Sequence, residues 1–157
     1  MNHAEPMNHK EDEFAELSAN VAERWLRFGQ WDRVYFPKLV GLRVEAVRLD
    51  YCRMVLPFKP ELEQPMGIVH GGAIATLIDA VVVPAIGSAY GPEIGYSTID
   101  MHVQYLSALV KEDAVAEGVV VKRGRSIVFC EANVHGRTSG KHLARGSLTY
   151  SVSALRP

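Results

Sequence analysis

Hydrophobic residues recur at intervals of three and four near the start of the chain. The series that begins after Glu11 consists of Phe14, Leu17, Val21, Trp25 and Phe28. This spacing places the apolar side chains along one face of an amphipathic helix, and Gly29 supplies an end for it. The pattern therefore predicts an N-terminal helix packed against a sheet or a partner subunit. Residues 1 to 10, which are polar, are predicted to be a disordered tail.

A second hydrophobic segment, residues 72 to 89, is apolar on nearly every side. It contains no Lys, Arg or Glu, and a helix without a polar face is buried. The segment therefore predicts a long central helix. Pro84 is expected to kink this helix or to end its regular part, because proline lacks the backbone N–H that continues a helix.

Runs of residues typical of β-strands fill most of the remaining chain. Two precede the central helix, over residues 41–50 and 51–57, and four follow it, over about 96–106, 114–122, 126–135 and 142–153. Short polar connections between the last runs indicate antiparallel hairpins. The order of elements predicts an α+β chain in which a six-stranded antiparallel sheet wraps around the long central helix. This is the hotdog architecture, formed here by a single domain over residues 11 to 157 that includes the extra N-terminal helix.

The charge of the chain narrows the range of partners. The 17 Lys and Arg residues and 18 Asp and Glu residues give a net charge of −1, so no broad surface for nucleic acid is expected. The N-terminus is polar and acidic, unlike a signal peptide, and the apolar segment is too short to span a bilayer comfortably. The sequence therefore predicts a cytoplasmic protein that binds neither nucleic acid nor membrane.

The two cysteines, Cys52 and Cys130, show neither metal-ligand nor redox spacing. Both lie in apolar runs, so buried free thiols are expected. The histidines lack the spacing of a metal site, and the sequence contains no glycine-rich phosphate loop or dinucleotide fingerprint. We therefore expect neither a bound metal nor a cofactor.

The strongest chemical signal lies at the start of the central helix. His70, Gly71 and Gly72 stand where backbone amides lack intrahelical partners and carry the positive end of the helix dipole. Glycines there let a ligand approach the backbone, as in an oxyanion hole, although such a tripeptide is equally often only a tight turn. The presence of Asp79 in the same helix favours a functional site over a simple turn. A carboxylate in an apolar helix is costly unless it is paired, hydrogen-bonded or facing a water-lined site.

These residues belong to a longer motif: Gln64-x-x-Gly67-x-x-His70-Gly71-Gly72, then Asp79, then Thr98-x-Asp100 at the start of a strand, then Gly124-Arg125-Ser126. In this motif the chain resembles the acyl-CoA thioesterases of the hotdog superfamily, and the phenylacetyl-CoA and 4-hydroxybenzoyl-CoA types are its nearest groups. The resemblance covers residues 56 to 150. It implies hydrolysis of an acyl-CoA to a free acid and CoA in a homodimer or homotetramer, without a cofactor, since CoA is part of the substrate.

The resemblance implies a role for each matching position at the helix start. The amide of Gly71 would polarise the thioester carbonyl, and the neighbouring Gly72 would contact the substrate. Gln64 would help to place the carbonyl or the attacking water. His70, although close to the substrate, would be a structural hydrogen-bonding residue rather than the catalytic base.

The same resemblance makes Asp79 the central carboxylate, which would either activate water or attack the thioester itself. Thr98 or its neighbour Ser97 would orient the water. The chain departs from some relatives at Val83, one helical turn beyond the carboxylate, where those relatives have Ser or Thr. This difference favours a mechanism that uses the strand residue instead.

A cluster of basic residues favours the same substrate. Six Lys and Arg residues lie between residues 122 and 145, together with a single acidic residue, Glu131. Arginine binds phosphate groups well, and CoA carries several. The phosphates are therefore predicted to bind at the turn formed by Lys122, Arg123, Gly124, Arg125 and Ser126, although charged turn residues are commonly only solvated.

The spacing of Gly71 and Asp79 adds a prediction about assembly. Eight residues of one helix span about 12 Å, whereas a hydrogen bond reaches about 3 Å. If both groups act on one thioester, they come from different subunits, and two antiparallel central helices in a twofold dimer would bring them together. Two alternatives stay open: a noncatalytic acyl-CoA-binding or sensing module, and a hotdog hydratase or dehydratase, whose paired Asp and His motif is not seen here.

Overall fold

The structure of this protein is a computed structural model that describes residues 10 to 155. Within that range the α-helices are α1 (Ala19–Leu26), α2 (Phe36–Val40) and α3 (Gly71–Gly87). The strands of the same range are β1 (Arg43–Arg48), β2 (Tyr51–Leu56), β3 (Glu63–Gln64), β4 (Ile68–Val69), β5 (Ile94–Tyr105), β6 (Ala114–Arg123), β7 (Ile127–Gly136) and β8 (His142–Ala154). The tail predicted as disordered lies outside the described residues except for Lys10, which begins a short 3₁₀ turn.

Six strands form one antiparallel sheet in the order β1-β2-β6-β7-β8-β5, and α3 packs against this sheet. Helix and sheet approach closely because two glycines face the helix. A Cβ atom on Gly118 would lie 2.9 Å from a Val81 methyl group, and one on Gly146 would lie 2.6 Å from an Ile78 methyl group. The predicted α+β hotdog fold is therefore confirmed, and each of the six predicted strands ends within two residues of the observed one.

The predicted N-terminal helix is wrong in its first half. Only Ala19–Leu26 are α-helical, and residues 14 to 18 are not helical. The Phe14 ring stacks on Tyr51 with the ring centroids 5.0 Å apart, and the carbonyl of Ala15 accepts a hydrogen bond from the Leu49 amide at 2.9 Å. Because these contacts tie the segment to the sheet, Phe14 and Leu17 become half-buried without helix formation.

The central helix extends further than the sequence predicts. It continues through Pro84 to Gly87, so the expectation that its regular part ends at Pro84 is wrong. Pro84 removes one backbone donor, but its neighbours Ala85 and Ile86 are both fully buried in the core. The burial of this turn outweighs the loss of a single helical hydrogen bond.

One stripe of α3 is left uncovered by its own chain. Gly72, Thr76, Asp79 and Val83 recur at spacings of three and four and are exposed or half-buried, whereas most other positions of the helix are buried. The expectation of a helix buried on every side therefore does not hold for a single chain. This stripe carries the carboxylate of Asp79 on a largely apolar surface.

A two-stranded ribbon leads into α3. Gln64 in β3 pairs with Ile68 in β4, and the amide of His70 donates a hydrogen bond to the Leu62 carbonyl at 2.8 Å. The ribbon thereby holds the segment that contains Gln64 beside the start of the central helix.

Candidate active site

The first turn of α3 is capped by the side chain of His70. This residue has an extended backbone, and its Nδ1 atom accepts a hydrogen bond from the Gly72 amide at 2.9 Å. The His70 carbonyl accepts from the Ala73 amide, also at 2.9 Å. Among the hydrogen bonds of residues 10 to 155, none uses the Gly71 amide as a donor. Of the first three amides of the helix, that of Gly71 is therefore the one open to a ligand.

Tyr105 lies directly against this helix start. Its hydroxyl donates a hydrogen bond to the Gly71 carbonyl at 2.8 Å, and a Cβ atom on Gly71 would lie only 3.2 Å from the ring. Glycine at this position therefore lets the tyrosine ring approach closely, and a Cβ atom would require the exposed ring to shift slightly. Tyr105 could not be predicted as part of the site, because no local pattern links it to a residue 34 positions earlier.

Asp79 is half-buried in the middle of α3, and two hydroxyl groups donate to its carboxylate. The Tyr150 hydroxyl lies 2.6 Å from Oδ1 and 2.8 Å from the backbone carbonyl of Asp79. The Thr98 hydroxyl donates to the same Oδ1 atom at 2.9 Å. No hydrogen bond among the described residues reaches Oδ2. One carboxylate oxygen is thus held by the protein, and the other is available to water or substrate.

The two hydroxyl groups come from facing residues of adjacent strands. Thr98 in β5 pairs with Tyr150 in β8, so both side chains project from one face of the sheet toward α3. Tyr150 is 2 % exposed. Its burial, and then its hydrogen bond with Asp79, raise the pKa of the phenol above its usual value. The hydroxyl therefore stays protonated and acts as a donor to the carboxylate.

A β-bulge follows directly after Ser97 and Thr98, the two residues predicted as candidates for the strand hydroxyl. The register between β5 and β8 shifts between Thr98 and Asp100, which leaves Ile99 as the extra residue. Thr98 contacts the Asp79 carboxylate, whereas the neighbouring Ser97 is exposed and pairs with Ser151. The geometry therefore favours Thr98 over Ser97 as the partner of the carboxylate within one chain.

Gln64 has one side of its amide engaged. Its Oε1 atom accepts a hydrogen bond from the Met66 amide at 2.8 Å and closes the turn between β3 and β4. Within residues 10 to 155 no hydrogen bond joins Gln64 to Gly71 or Asp79. The amide nitrogen of Gln64 therefore keeps its donors for a substrate or a water molecule.

The basic turn between β6 and β7 lies near the C-terminal end of α3. Arg123 forms an ion pair with Asp50, and its guanidinium lies 4.7 Å from the ring centroid of Tyr90. Lys122 and Arg125 are exposed on either side of it. Arg123 is therefore engaged within its own chain, whereas its two neighbours expose their cationic side chains to solvent.

The main chain of the same turn is ordered by its own hydrogen bonds. Gly124 donates its amide to the Ile127 carbonyl at 2.8 Å, and the carbonyl of Ser126 accepts from the Val152 amide at 2.9 Å. The turn is thus tied to both β7 and β8, with its basic side chains on the outside.

The two main groups of the candidate site are well separated within one chain. Gly71 begins α3 and Asp79 lies eight residues later, which corresponds to about 12 Å along the helix axis. A single chain therefore does not place the open amide and the carboxylate on one thioester.

Two apolar clefts flank the start of α3. The first, of about 350 Å³, is lined by Gly71, Ile74, Tyr105 and Leu109 among others. The second, of about 360 Å³, is lined by Phe36 and Val40 of α2 and by Gly72 and Thr76, with His70, Glu61 and Glu63 also on its wall. Either cleft could receive an apolar group beside the helix amides.

Metal ligands, membrane-spanning helices and cysteine pairs were also sought among residues 10 to 155. They contain no group of three or more His, Cys, Asp and Glu side chains placed to hold a metal ion. None of their helices has both the length and the apolar character needed to cross a membrane. Cys52 and Cys130 are free and buried, as expected, and burial raises the pKa of the Cys130 thiol to about 12.

Comparison with known proteins agrees with the fold and with the motif. The thioesterase superfamily profile matches residues 66–141. Human acyl-coenzyme A thioesterase 13 is 33 % identical over 117 residues, which cover 73 % of this chain and 82 % of that protein. The mouse protein of the same name is 32 % identical over 85 residues, which cover 54 % of this chain and 60 % of the mouse protein. The chain therefore belongs to the thioesterase superfamily.

A solved structure supports the same architecture. A thioesterase from Haemophilus influenzae superimposes with a TM-score of 0.76 at 19 % sequence identity, covering 83 % of this chain and 90 % of that one. At this identity the likeness shows the shared fold alone. Membership of the superfamily supports hydrolysis of a thioester in general terms.

Proposed function

We propose that this protein hydrolyses an acyl-CoA thioester to a free acid and CoA. The observation that carries the proposal is the carboxylate of Asp79, which lies on the uncovered stripe of an otherwise apolar helix. Two hydroxyl groups hold its Oδ1 atom, and Oδ2 is left without a donor among the described residues. A carboxylate in this arrangement can take a proton from an attacking water molecule through Oδ2. Direct attack of Oδ2 on the thioester carbonyl is the second route open to it.

The open amide of Gly71 supplies the second half of the chemistry. It stands at the positive end of the α3 dipole and is not used as a donor within residues 10 to 155. A thioester carbonyl placed there would gain stabilisation as its oxygen becomes negative, which is worth about 10²–10³-fold in rate for one donor. Gln64 would assist with its free amide nitrogen.

The site is shared between two copies of the chain in this proposal. Two surfaces support such a dimer: the uncovered stripe of α3 and the outer edge of β5, which no other described strand covers. That edge strand is 12 residues long and exposes Ile99, Met101 and Tyr105. A long apolar edge invites pairing with another strand. Pairing of two such edges would bring one chain's Asp79 beside the partner's helix start.

The CoA phosphates would bind near Lys122 and Arg125. This turn lies at the end of α3 that is remote from Gly71 of the same chain, since Arg123 contacts Tyr90 just beyond the helix. In an antiparallel dimer the turn of one chain lies nearer to the partner's Gly71. The cations and the carboxylate of one subunit would thus serve the amide of the other.

A thiol-release assay tests the activity. Short, medium, long and aromatic acyl-CoAs are supplied to the wild type and to Asp79→Asn. We expect release of CoA by the wild type and a loss of about 10²–10⁴-fold in the variant, because a positioned general base contributes on that order. Asp32→Asn, in an exposed loop, serves as the control and should keep full activity. Binding of acyl-CoA without release by the wild type would instead identify a noncatalytic binding module.

Co-expression of two inactive variants tests the shared site. The Gly71→Pro variant should keep the helix start, because the proline ring is favoured at the first helical position. It loses the open amide of residue 71. Paired with Asp79→Asn, half of the randomly assembled dimers are mixed, and each mixed dimer keeps one intact site. About a quarter of the wild-type activity should return. Co-expression of Asp79→Asn with Asp79→Ala restores none, and no recovery in the first pair would contradict a shared site.

A further inference from the structure

We infer that Tyr150 is a positioning residue for the Asp79 carboxylate, an inference that rests on the proposed function. Tyr150 does not belong to the motif by which the chain resembles thioesterases, and it would not touch the substrate. Its hydroxyl group bonds both to Oδ1 and to the backbone carbonyl of Asp79, at 2.6 Å and 2.8 Å. One phenol thus contacts the side chain and the main chain of the same residue, which fixes the carboxylate relative to the helix.

The two donors to Oδ1 differ in how firmly they are held. Tyr150 is 2 % exposed and lies in the inner strand β8, between β7 and β5. Thr98 is exposed and lies on the edge strand β5. A buried aromatic ring has little freedom to move, whereas the small Thr98 hydroxyl can rotate about one bond toward a water molecule in the site. Tyr150 therefore holds the carboxylate, and Thr98 is left to exchange between the carboxylate and water.

Both donors reach the same oxygen atom, and this decides which oxygen reacts. With Oδ1 occupied, the reactive lone pairs are those of Oδ2, and the plane of the carboxylate is set by the protein. Without the Tyr150 hydroxyl the carboxylate would keep only the bond from Thr98 and could rotate toward solvent. Misplacement of a reacting group by about 1 Å can cost on the order of 10²-fold in rate.

The molecule contains a matched comparison for this tyrosine. Tyr51 is also fully buried, and its hydroxyl donates to a carboxylate oxygen, Oε1 of Glu117, at 2.5 Å. Tyr51 lies in β2, whose sheet neighbours are β1 and β6, away from the Asp79 site. Loss of either hydroxyl removes one buried phenol–carboxylate hydrogen bond, but only one of these bonds reaches Asp79.

The experiment compares Tyr150→Phe with Tyr51→Phe by thermal unfolding and by the kinetics of thiol release. We expect Tyr150→Phe to lose at least as much stability as Tyr51→Phe, because the Tyr150 hydroxyl also bonds to the Asp79 carbonyl. Tyr150→Phe should lower kcat about 10–100-fold while KM changes less than about twofold, because binding groups are untouched. Tyr51→Phe should keep the wild-type kcat. Equal kcat values for Tyr150→Phe and the wild type, or equal losses in both variants, would overturn the inference.

A second measurement does not depend on turnover. In a crystal structure of Tyr150→Phe we expect the Asp79 carboxylate to leave its wild-type position or to occupy two, and an unmoved carboxylate would overturn the positioning role. If the wild type releases no thiol, the proposed hydrolysis fails while this structure still decides the role of Tyr150. Should Tyr150→Phe not fold, a singly fluorinated tyrosine at position 150 preserves the ring. Its hydroxyl donates more strongly to Oδ1 and so makes the carboxylate a weaker base, which should lower kcat at position 150 and leave it unchanged at position 51. An unchanged kcat at position 150 would count against the inference.

Discussion

The two halves of the central helix differ in what surrounds them. Of the first nine residues of α3, three are buried, whereas seven of the last eight are buried. The difference is not one of hydrophobic composition, because Ala, Ile, Leu and Val fill most of both halves. It arises because the first half carries three of the four residues of the uncovered stripe, and because Gly71, Ala73 and Ala75 beside them are also left only half-buried by their own chain.

The two ends of the helix also satisfy their backbone groups differently. At the C-terminal end, Arg24 donates to the carbonyls of Gly87 and Tyr90 at 3.2 Å and 2.7 Å. A cation there also suits the negative end of the helix dipole. At the N-terminal end, His70 satisfies the Gly72 amide but leaves that of Gly71 open. One end is thus closed by the fold, while the other retains a donor for a ligand.

The largest difference between the two ends should appear when the open amide at the N-terminal end of α3 is removed. Gly71→Pro removes the one unused amide and should lower kcat/KM about 10²–10³-fold, because one oxyanion donor contributes on that order. Gly71→Ala is the matched control, since it adds the same Cβ atom beside Tyr105 but keeps the N–H group. The ratio of thiol-release rates between the two variants measures the amide alone. Equal rates would mean that this end of the helix takes no part in the reaction.

A substitution at the closed end should affect stability instead. A Cβ atom at Gly87 would lie 1.9 Å from the Trp25 ring, so Gly87→Ala should lower the free energy of unfolding by about 1–3 kcal/mol. The activity of the folded fraction should be unchanged. Chemical denaturation measures the loss, and the same substitution in a Trp25→Ala background should cost much less because the clash is absent. A large loss of kcat in folded Gly87→Ala would contradict the division between the two ends.

The smallest effect is expected at the cap of the open end. His70→Ala removes the acceptor of the Gly72 amide and should destabilise the protein by about 0.5–2 kcal/mol, the usual range for an N-cap. Ser18→Ala, at the N-cap of α1, is the control, since Ser18 makes no side-chain cap hydrogen bond, and it should cost less. A loss of kcat greater than that of Gly71→Pro would assign His70 a chemical role rather than a structural one.

The parts of the molecule that the sequence predicts well depend on local pattern. The strands follow from the alternation of apolar and polar residues, and α3 follows from a long apolar run. Asp79 stands out because it is the one charged residue in that run. The break in the N-terminal helix was not predictable in this way. The spacing of Phe14 and Leu17 fits a helix, but the contacts of residues 14 and 15 with Tyr51 and Leu49 depend on how the sheet packs.

The parts of the site that the sequence misses depend on register between distant strands. Tyr150 lies 71 residues from Asp79, and the packing of β8 against α3 brings its hydroxyl to the carboxylate, beside that of Thr98 in the paired strand β5. The pairing of Arg123 with Asp50, 73 residues apart, is equally invisible to a local pattern. A basic turn therefore looks entirely available for phosphate in the sequence although one of its arginines is already engaged.

The extra residue in β5 allows one strand to place two hydroxyl groups against two different positions of α3. Thr98 and Tyr105 are seven positions apart, and an odd separation puts two side chains on opposite faces of a regular strand. The bulge at Ile99 reverses the alternation, so Thr98 reaches Asp79 while Tyr105 reaches Gly71. A regular strand of the same length without this bulge would turn one of these two hydroxyl groups away from the helix.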